Sequence, residues 1–279
     1  MKKIGLLYHP MKEAALGLAG ELEKFLAGEG LSVWVCSAWE EKTARTHLKG
    51  TDLILSIGGD GTILRAAQCA ISTGVPITGI NLGKLGFMTE LSVDEVLDKL
   101  PSLLAGEGWI DERSLLEAQL SPAAEGDKPT STFYALNDVV VARGAIARVI
   151  SVETSIDGEP LTTYKSDGVL VATATGSTGY SLAAGGPVLH PQAKEFLLLP
   201  ILPHLSLSYP VVLPSSATVK LRVSAVNPAT LSIDGHINLP LSNGATITVK
   251  RSSGTARFLR IHRETTFYSS LEQKLKGKN

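Results

Sequence analysis

The chain has 279 residues, enough for one large or two ordinary domains, and its 44% hydrophobic residues can build a core without disulfides. Lysine plus arginine (26) and aspartate plus glutamate (27) leave a net charge of −1, which excludes the broad basic footprint of a nucleic-acid binder. Any anionic ligand must therefore be met by local geometry.

The N-terminus, MKKIGLLYHP, has two lysines but too short an apolar run for a signal peptide, and no stretch of 18 uninterrupted apolar residues follows. A cytoplasmic protein with no membrane partner is expected. The first hundred residues alternate strand-like runs with helical periodicity. KIGLLY is followed by a helix with Ala15, Leu18, Leu22, Phe25 and Leu26 on one face, then by LSVWV, LILSI and VPITGI. This alternation predicts an α/β layer with a mostly parallel sheet. Cys36 and Cys69 fall in separate apolar segments without metal-type spacing to each other or to the six histidines, and are expected as buried thiols.

Between LILSI and the helix-like stretch ILRAAQCAIS lies Gly58-Gly59-Asp60-Gly61-Thr62. The glycines allow dihedrals closed to other residues and bring backbone N–H groups close to a ligand, and the following helix adds unsatisfied N–H groups and the positive end of its dipole. A phosphate suits such a turn. A carboxylate within it would repel phosphate unless it binds a metal or takes a proton from a reacting hydroxyl, roles that phosphoryl transfer requires. The plainer alternative is a tight strand-to-helix turn with Asp60 or Thr62 as the helix cap. A second glycine cluster, NLGKLGF (81–87), follows VPITGI in the same way, so the two turns can converge on one cleft.

From about residue 114 the pattern changes to short β-rich runs: TFYALNDVVVA, VISVETSI, EPLTTY, GVLVATA, ATVKLRVSA, TLSI, HINLP, ATITVKR and ARFLRIH. Asp157-Gly158 and Asp234-Gly235 predict hairpin turns, and the whole reads as an antiparallel β-sandwich or stacked sheets. Within it, Lys165-Ser166-Asp167-Gly168 precedes VLVATA and the run Thr175-Gly176-Ser177-Thr178-Gly179-Tyr180-Ser181, then Ala183-Ala184-Gly185-Gly186-Pro187. Small residues, hydroxyls and one tyrosine suit close approach of a planar ligand, with the tyrosine face able to stack on an adenine ring. Asn137-Asp138 opens a buried run, where an amide and a carboxylate can hold ribose hydroxyls or form an ordinary polar strand end. His236 is a candidate phosphate contact; His9, His47, His190, His204 and His262 read as surface or core histidines. The tail FYSSLEQKLK has helical spacing through Phe267, Leu271 and Leu275.

Taken in order, GGDGT, NLGKLGF, LNDVVV, SDG with TATGSTGYSLAAGGP, and IDG resemble the NAD kinase family over the whole chain. GGDGT alone is shared with lipid kinases and phosphofructokinases. The resemblance implies transfer of the terminal phosphoryl group of ATP to the 2′-hydroxyl of the adenosine ribose of NAD, with Mg²⁺ or another divalent cation. It implies Asp60 as general base and an NAD site of Asp60, Gly61, Asn137, Asp138, Lys165, Asp167, Thr175, Thr178, Gly179, Tyr180 and Ala183. ATP phosphates would meet Gly58, Gly59, Gly61, Thr62, Arg65 and His236, with no metal ligand assigned. Departures from the family pattern are Ala174 for proline and Gly179 for alanine in its TPTGSTAY, Lys84 where arginine is frequent, and His236 where glutamine often follows Asp-Gly. The implied fold is an N-terminal α/β domain (1–113, with the tail 264–279 packing back on it) and an all-β, sandwich-like dinucleotide-binding domain (114–263), assembled as a homodimer or tetramer. Two rival readings are a lipid or sugar kinase sharing GGDGT and a non-catalytic dinucleotide sensor. No GxxxxGK[ST] or GxGxxG occurs, which disfavours P-loop enzymes and ordinary Rossmann dehydrogenases.

Overall fold

The structure, a computed structural model, describes residues 1–83, 86–121, 131–144, 148–204, 208–224, 228–263, 267–268 and 271–272. Lys84, Leu85 and most of the tail from residue 264 lie outside the described residues. The chain divides into two compact units, residues 1–112 with 255–279 and residues 113–254.

The first unit runs β1 (Lys3–Tyr8), α1 (Glu13–Gly28), β2 (Ser32–Ser37), α2 (Glu41–His47), β3 (Leu53–Ile57), α3 (Asp60–Ala70), β4 (Ile77–Asn81), β5 (Leu91–Ser92) and α4 (Val93–Ala105). Its sheet is parallel in the order β2-β1-β3-β4, with β5 pairing with β4. Every residue of β3 and β4 is buried, as expected of parallel strands covered on both faces. Helix α1 buries Ala15, Leu18, Ala19, Leu22 and Leu26 against Ile4, Leu6, Leu53 and Leu55, with Phe25 partly buried beside them. Helix α4 opens with a capping box, in which Ser92 and Glu95 satisfy each other's backbone N–H, and closes on Gly106 in the left-handed conformation.

The strand order has a consequence for binding. From β1 the chain moves to one side of the sheet and from β3 to the other, so the carboxyl ends of β1 and β3 form the switch point where open α/β sheets bind ligands. GGDGT begins one residue after β3. Both thiols are buried, and burial pushes Cys36 up to about 11 and Cys69 up to about 12, so neither is a thiolate near neutral pH.

The strand β6 (Trp109–Ser121) leads into the second unit, which continues with β7 (Ser131–Ala135), β8 (Asp138–Arg143), β9 (Ile150–Ile156), β10 (Glu159–Ser166) and β11 (Gly168–Ala172). A single 3-10 turn (Gly176–Thr178) and α5 (Tyr180–Ala183) follow. Then come β12 (Phe196–Ile201), β13 (Val211–Leu213), β14 (Thr218–Ser224), β15 (Ala229–Ile233), β16 (Ile237–Leu241) and β17 (Thr246–Arg260). The expected sandwich is present. One layer pairs β10-β9-β14-β17 and the other β13-β12-β11-β8-β15-β16, all antiparallel.

Strand alternation builds the shared core. Val139 and Val141, Val169 and Val171, and Leu231 and Ile233 point inward to meet Val152, Leu221, Ile247 and Val249 of the facing layer. On the first layer the alternate residues, such as Lys220, Arg222 and Lys250, face water. Along β11 and β12 of the second layer, and at Val140 of β8, they do not. Val140, Leu170, Ala172, Leu197 and Leu199 are buried in a second cluster with Ala184 and Leu189. The segment containing the Gly/Ser/Thr-rich run thus packs against the outer face of this sheet. Asp157-Gly158 joins β9 to β10 with positive φ at both residues, and Asp234-Gly235 stands between β15 and β16 in the same conformation, as the sequence predicts.

The fully buried Leu231 sits between the two layers. Leu231→Ala is expected to cost about 2–5 kcal/mol in urea unfolding, whereas Lys220→Ala on the wet face costs less than about 0.5 kcal/mol.

Candidate active site

The GGDGT turn is built differently from the sequence expectation. Gly59, at the cap position, has φ −97°, and Asp60 and Gly61 are already helical, so unusual dihedrals are not what those two glycines supply. Neither Asp60 nor Thr62 caps the helix; the cap is Gly59, and no side chain bonds to it. What the glycines supply is room. A Cβ on Gly58 would lie 2.2 Å from Thr62 Oγ1, while around Gly59 and Gly61 nothing lies within 4 Å of that position. Two backbone positions therefore stand open beside the first, unsatisfied turn of α3. Thr62 is buried with its Oγ1 unpartnered among the described residues, so it packs the turn from within.

Asp60 is half-buried at the first position of α3, where a negative charge complements the helix dipole. Its Oδ2 accepts the N–H of Phe87 at 2.9 Å and its Oδ1 that of Met88 at 3.1 Å. This approach needs Gly86, because a Cβ there would fall 2.2 Å from Asp60 Oδ1. The second glycine turn thus meets the first directly, at Asp60. Five residues further along α3, about 7.5 Å at about 1.5 Å per residue, Arg65 places its guanidinium 4.3 Å from the centre of the Trp39 ring. The ring of His9 lies 4.5 Å from the same tryptophan. Burial, Lys12 and Arg65 together hold His9 below the ordinary histidine value, against its own backbone hydrogen bond. Arg65 is thus a cation met by an aromatic face rather than by a carboxylate among the described residues.

In the second unit the residues around Asn137 form one group. Thr173 donates its N–H to the Asn137 carbonyl (2.9 Å) and its hydroxyl to the Leu136 carbonyl (2.5 Å). A Cβ on Gly176 would fall 2.1 Å from the Asn137 carbonyl oxygen, so this glycine lets the Gly/Ser/Thr run lie against the start of β8. Thr175 is buried, and its hydroxyl lies 3.4 Å from Arg113 Nη1; Thr178 donates to the Thr175 carbonyl (3.2 Å). Gly179, Tyr180 and Ala183 are exposed, Tyr180 at 47%. Asn137, Asp138, Val140, Ala142, Tyr180, Ser232, Asp234 and Gly235 line a cavity of about 360 Å³. Asn137 Oδ1 and His236 Nε2 are buried without a hydrogen-bond partner among the described residues, and each such atom is costly unless a ligand or water completes it.

Asp234 organises this group, and sequence reasoning assigned it only to a hairpin turn. Its carboxylate accepts the N–H groups of Leu136 (2.9 Å), Asn137 (2.7 Å) and Asp138 (3.1 Å). Burial, with the Asp234 charge beside it, pushes Asp138 up to about 7, so near neutral pH its carboxyl can donate as well as accept. Lys165 and Asp167 lie elsewhere. Asp167 precedes the Gly168–Ala142 pair, four residue steps from the Ala172–Asp138 pair, about 13 Å at about 3.3 Å per step, and it pairs with Arg143 at 3.0 Å. Lys165 is exposed at the end of β10. These two are therefore not part of the Asn137 group within the unit.

Family models match both halves of the chain: the ATP-NAD kinase N-terminal domain over residues 4–108 and the ATP-NAD kinase C-terminal domain over 136–261. An NAD kinase of Dehalococcoides mccartyi (strain CBDB1) is 50% identical over 278 residues, covering 100% of this chain and 97% of the relative. An NAD kinase of Chloroflexus aurantiacus (strain ATCC 29366 / DSM 635 / J-10-fl) is 37% identical over 276 residues, 99% of either chain. Among solved structures, an NAD kinase from Archaeoglobus fulgidus in complex with ATP superposes with TM-score 0.76 at 27% identity, covering 99% of both chains. Yeast NADH kinase complexed with NADH gives TM-score 0.82 at 24% identity over 99% of this chain and 88% of that one, a likeness of fold.

The Asp138–Asp234 pair makes stability pH-dependent in a stated direction. An unfolded Asp titrates near ~3.9, so between that value and the folded value of about 7 the folded chain keeps a proton that the unfolded chain has lost. This contribution to stability is complete below pH 4 and lost as pH rises to 7. Asp138→Asn removes it, so the thermal midpoint of the variant is expected to gain on that of the parent chain between pH 5 and pH 8. A constant difference across that range would show that Asp138 ionises normally.

Proposed function

This chain belongs to the NAD kinase family and is a kinase of NAD, and from that premise we propose how its residues carry the reaction. The terminal phosphoryl group of ATP passes to the 2′-hydroxyl of the adenosine ribose of NAD, giving NADP and ADP. The observation that carries the assignment is the fixing of both oxygens of Asp60 by the Phe87 and Met88 N–H groups at the head of α3. So held, the carboxylate is immobile and retains free lone pairs for a hydroxyl proton. As the ribose oxygen forms its bond to the γ-phosphorus, the hydroxyl proton goes to Asp60 and the bond to the β–γ bridging oxygen breaks. A carboxylate is a weak base in water, and Asp60 acts through placement against the hydroxyl.

The remaining roles are those the family resemblance implies, set against each unit in turn. The open space at Gly59 and Gly61, beside the free N–H groups of α3, receives phosphate oxygens, and Arg65 adds charge to the donor side. In the second unit, the unpartnered Asn137 Oδ1 and the Asp138 carboxyl meet ribose hydroxyls or the nicotinamide end of NAD. The exposed Tyr180 ring, with Thr175, Thr178, Gly179 and Ala183, takes the adenine. His236 Nε2 takes a phosphate oxygen. Lys165 and Asp167 complete the NAD contacts from the far end of β11.

A divalent cation is part of this reading. Among the described residues no three His, Cys, Asp or Glu side chains gather as a metal site. Magnesium is commonly held largely by substrate phosphates, and the phosphates received at the open Gly59 and Gly61 positions would supply its ligands while Asp60 keeps its role as base. Bound there, the ion would neutralise charge on the β- and γ-phosphates. Assembly as a dimer or tetramer, and a cytoplasmic location, carry over from the family resemblance; no helix among the described residues is long and apolar enough to cross a membrane. The lipid- or sugar-kinase reading is not favoured, because these relatives are NAD kinases over the full chain length.

Purified protein incubated with NAD, ATP and Mg²⁺ is expected to form NADP, followed by a dehydrogenase that accepts only the phosphorylated cofactor. Asp60→Asn is expected to keep NAD affinity and lose at least about 100-fold in kcat; an active variant refutes the base assignment. Tyr180→Ala is expected to weaken NAD binding with little change in kcat, and unchanged affinity removes Tyr180 from the adenine site. Arg65→Ala is expected to raise the KM for ATP more than that for NAD.

A further inference from the structure

Arg260, the last residue of β17, is 5% exposed. A buried guanidinium must find partners for its charge and for five fixed N–H groups. Its Nε lies 3.2 Å from Asp111 Oδ2, and its Nη1 lies 3.2 Å from Glu90 Oε2. Those two carboxylates more than offset its single charge. Yet Nη1 also donates to the Met88 carbonyl at 2.8 Å, its shortest contact, with the Thr89 carbonyl at 3.4 Å. Glu90 ties the same segment back to the C-terminal strand, its Oε1 accepting the N–H groups of Ile261 (2.8 Å) and His262 (2.7 Å).

Met88 therefore carries two constraints. Its N–H faces Asp60 Oδ1, and its carbonyl is gripped by Arg260. Residues 86–89 lie in no strand or helix that would hold the Phe87 and Met88 amides in place; the buried cation grips that backbone from a position 172 residues away in sequence. We propose that Arg260 is the positioning residue for Asp60, acting through the backbone of residues 87–89. The proposal rests on the reading of Asp60 as the base of an NAD kinase. It gives a buried ion cluster remote from the glycine turns a direct hold on the reacting geometry.

The test separates positioning from plain stabilisation. Arg260→Lys keeps a positive charge beside Asp111 and Glu90, but one ammonium cannot reproduce the fork that reaches both carboxylates and the Met88 carbonyl. It is expected to lower kcat for NADP formation by about 10- to 100-fold, with the KM values for NAD and ATP within about two-fold. Asp111→Asn loosens the Nε arm without touching Met88, and is expected to lower the thermal midpoint while holding kcat within about two-fold. In an Asp60→Asn background, Arg260→Lys is expected to cost no further rate, since both act through one carboxylate. Should Arg260→Lys fail to fold, the charge-balanced double variant Arg260→Gln with Asp111→Asn takes its place, with the same expected loss of kcat. Unchanged kcat in a folded variant lacking the guanidinium, or an equal loss in Asp111→Asn, overturns the proposal while leaving the kinase reading intact. No NADP from the parent chain overturns both.

Discussion

The first unit depends on one contact between a side chain and a backbone. A carboxylate at the head of a helix, Asp60, is bonded by two consecutive amides of a loop that begins beyond the next strand. Each partner constrains the other. Phe87 and Met88 lie in no strand or helix, and the carboxylate, already favoured by the helix dipole, gives their N–H groups an acceptor. The contact also explains the glycine at 86, where any side chain would collide with the carboxylate. Two glycine clusters more than 20 residues apart in sequence are one structural device.

A parallel device stands in the second unit, with a different carboxylate in the organising role. Asp234 accepts three consecutive N–H groups from residues 136–138 and lies beside Asp138, whose own ionisation it opposes. The two aspartates divide the work. Three amides bind Asp234, and burial beside its charge leaves Asp138 as a carboxyl that can exchange a proton near neutral pH. In both units a backbone turn is fixed by an aspartate, and in the second that turn carries Asn137 Oδ1, unpartnered among the described residues.

Much of the fold was legible because its strands are either wholly apolar or alternating. LILSI and GVLVATA declare strands buried on both faces, and TVKLRVS declares one buried on a single face. The second Asp-Gly was legible as a turn and nothing more. Its carboxylate bonds across to β8, and pairing β15 with β8 joins residues about 90 positions apart, which no local pattern encodes. Helix α4 carried its signal in Ser92 and Glu95, a capping box readable in the sequence. Arg260 carried none, since ARFLRIH reads as any strand end.

The sequence by itself marked the candidates for the chemistry, namely the glycine turns, Asp60, the Asn137-Asp138 pair and the hydroxyl-rich run around Tyr180, because turns, caps and small-residue runs are local properties of a chain. It determined the family too, through the order of those motifs. Only the tertiary structure decided what holds them. The grip of Phe87 and Met88 on Asp60, the clamp of Arg260 on Met88, the Asp234 acceptor and the separation of Asp167 from Asn137 all join segments distant in sequence. Hydrogen-bond geometry and burial are set by the packed layers, and a linear pattern cannot fix either.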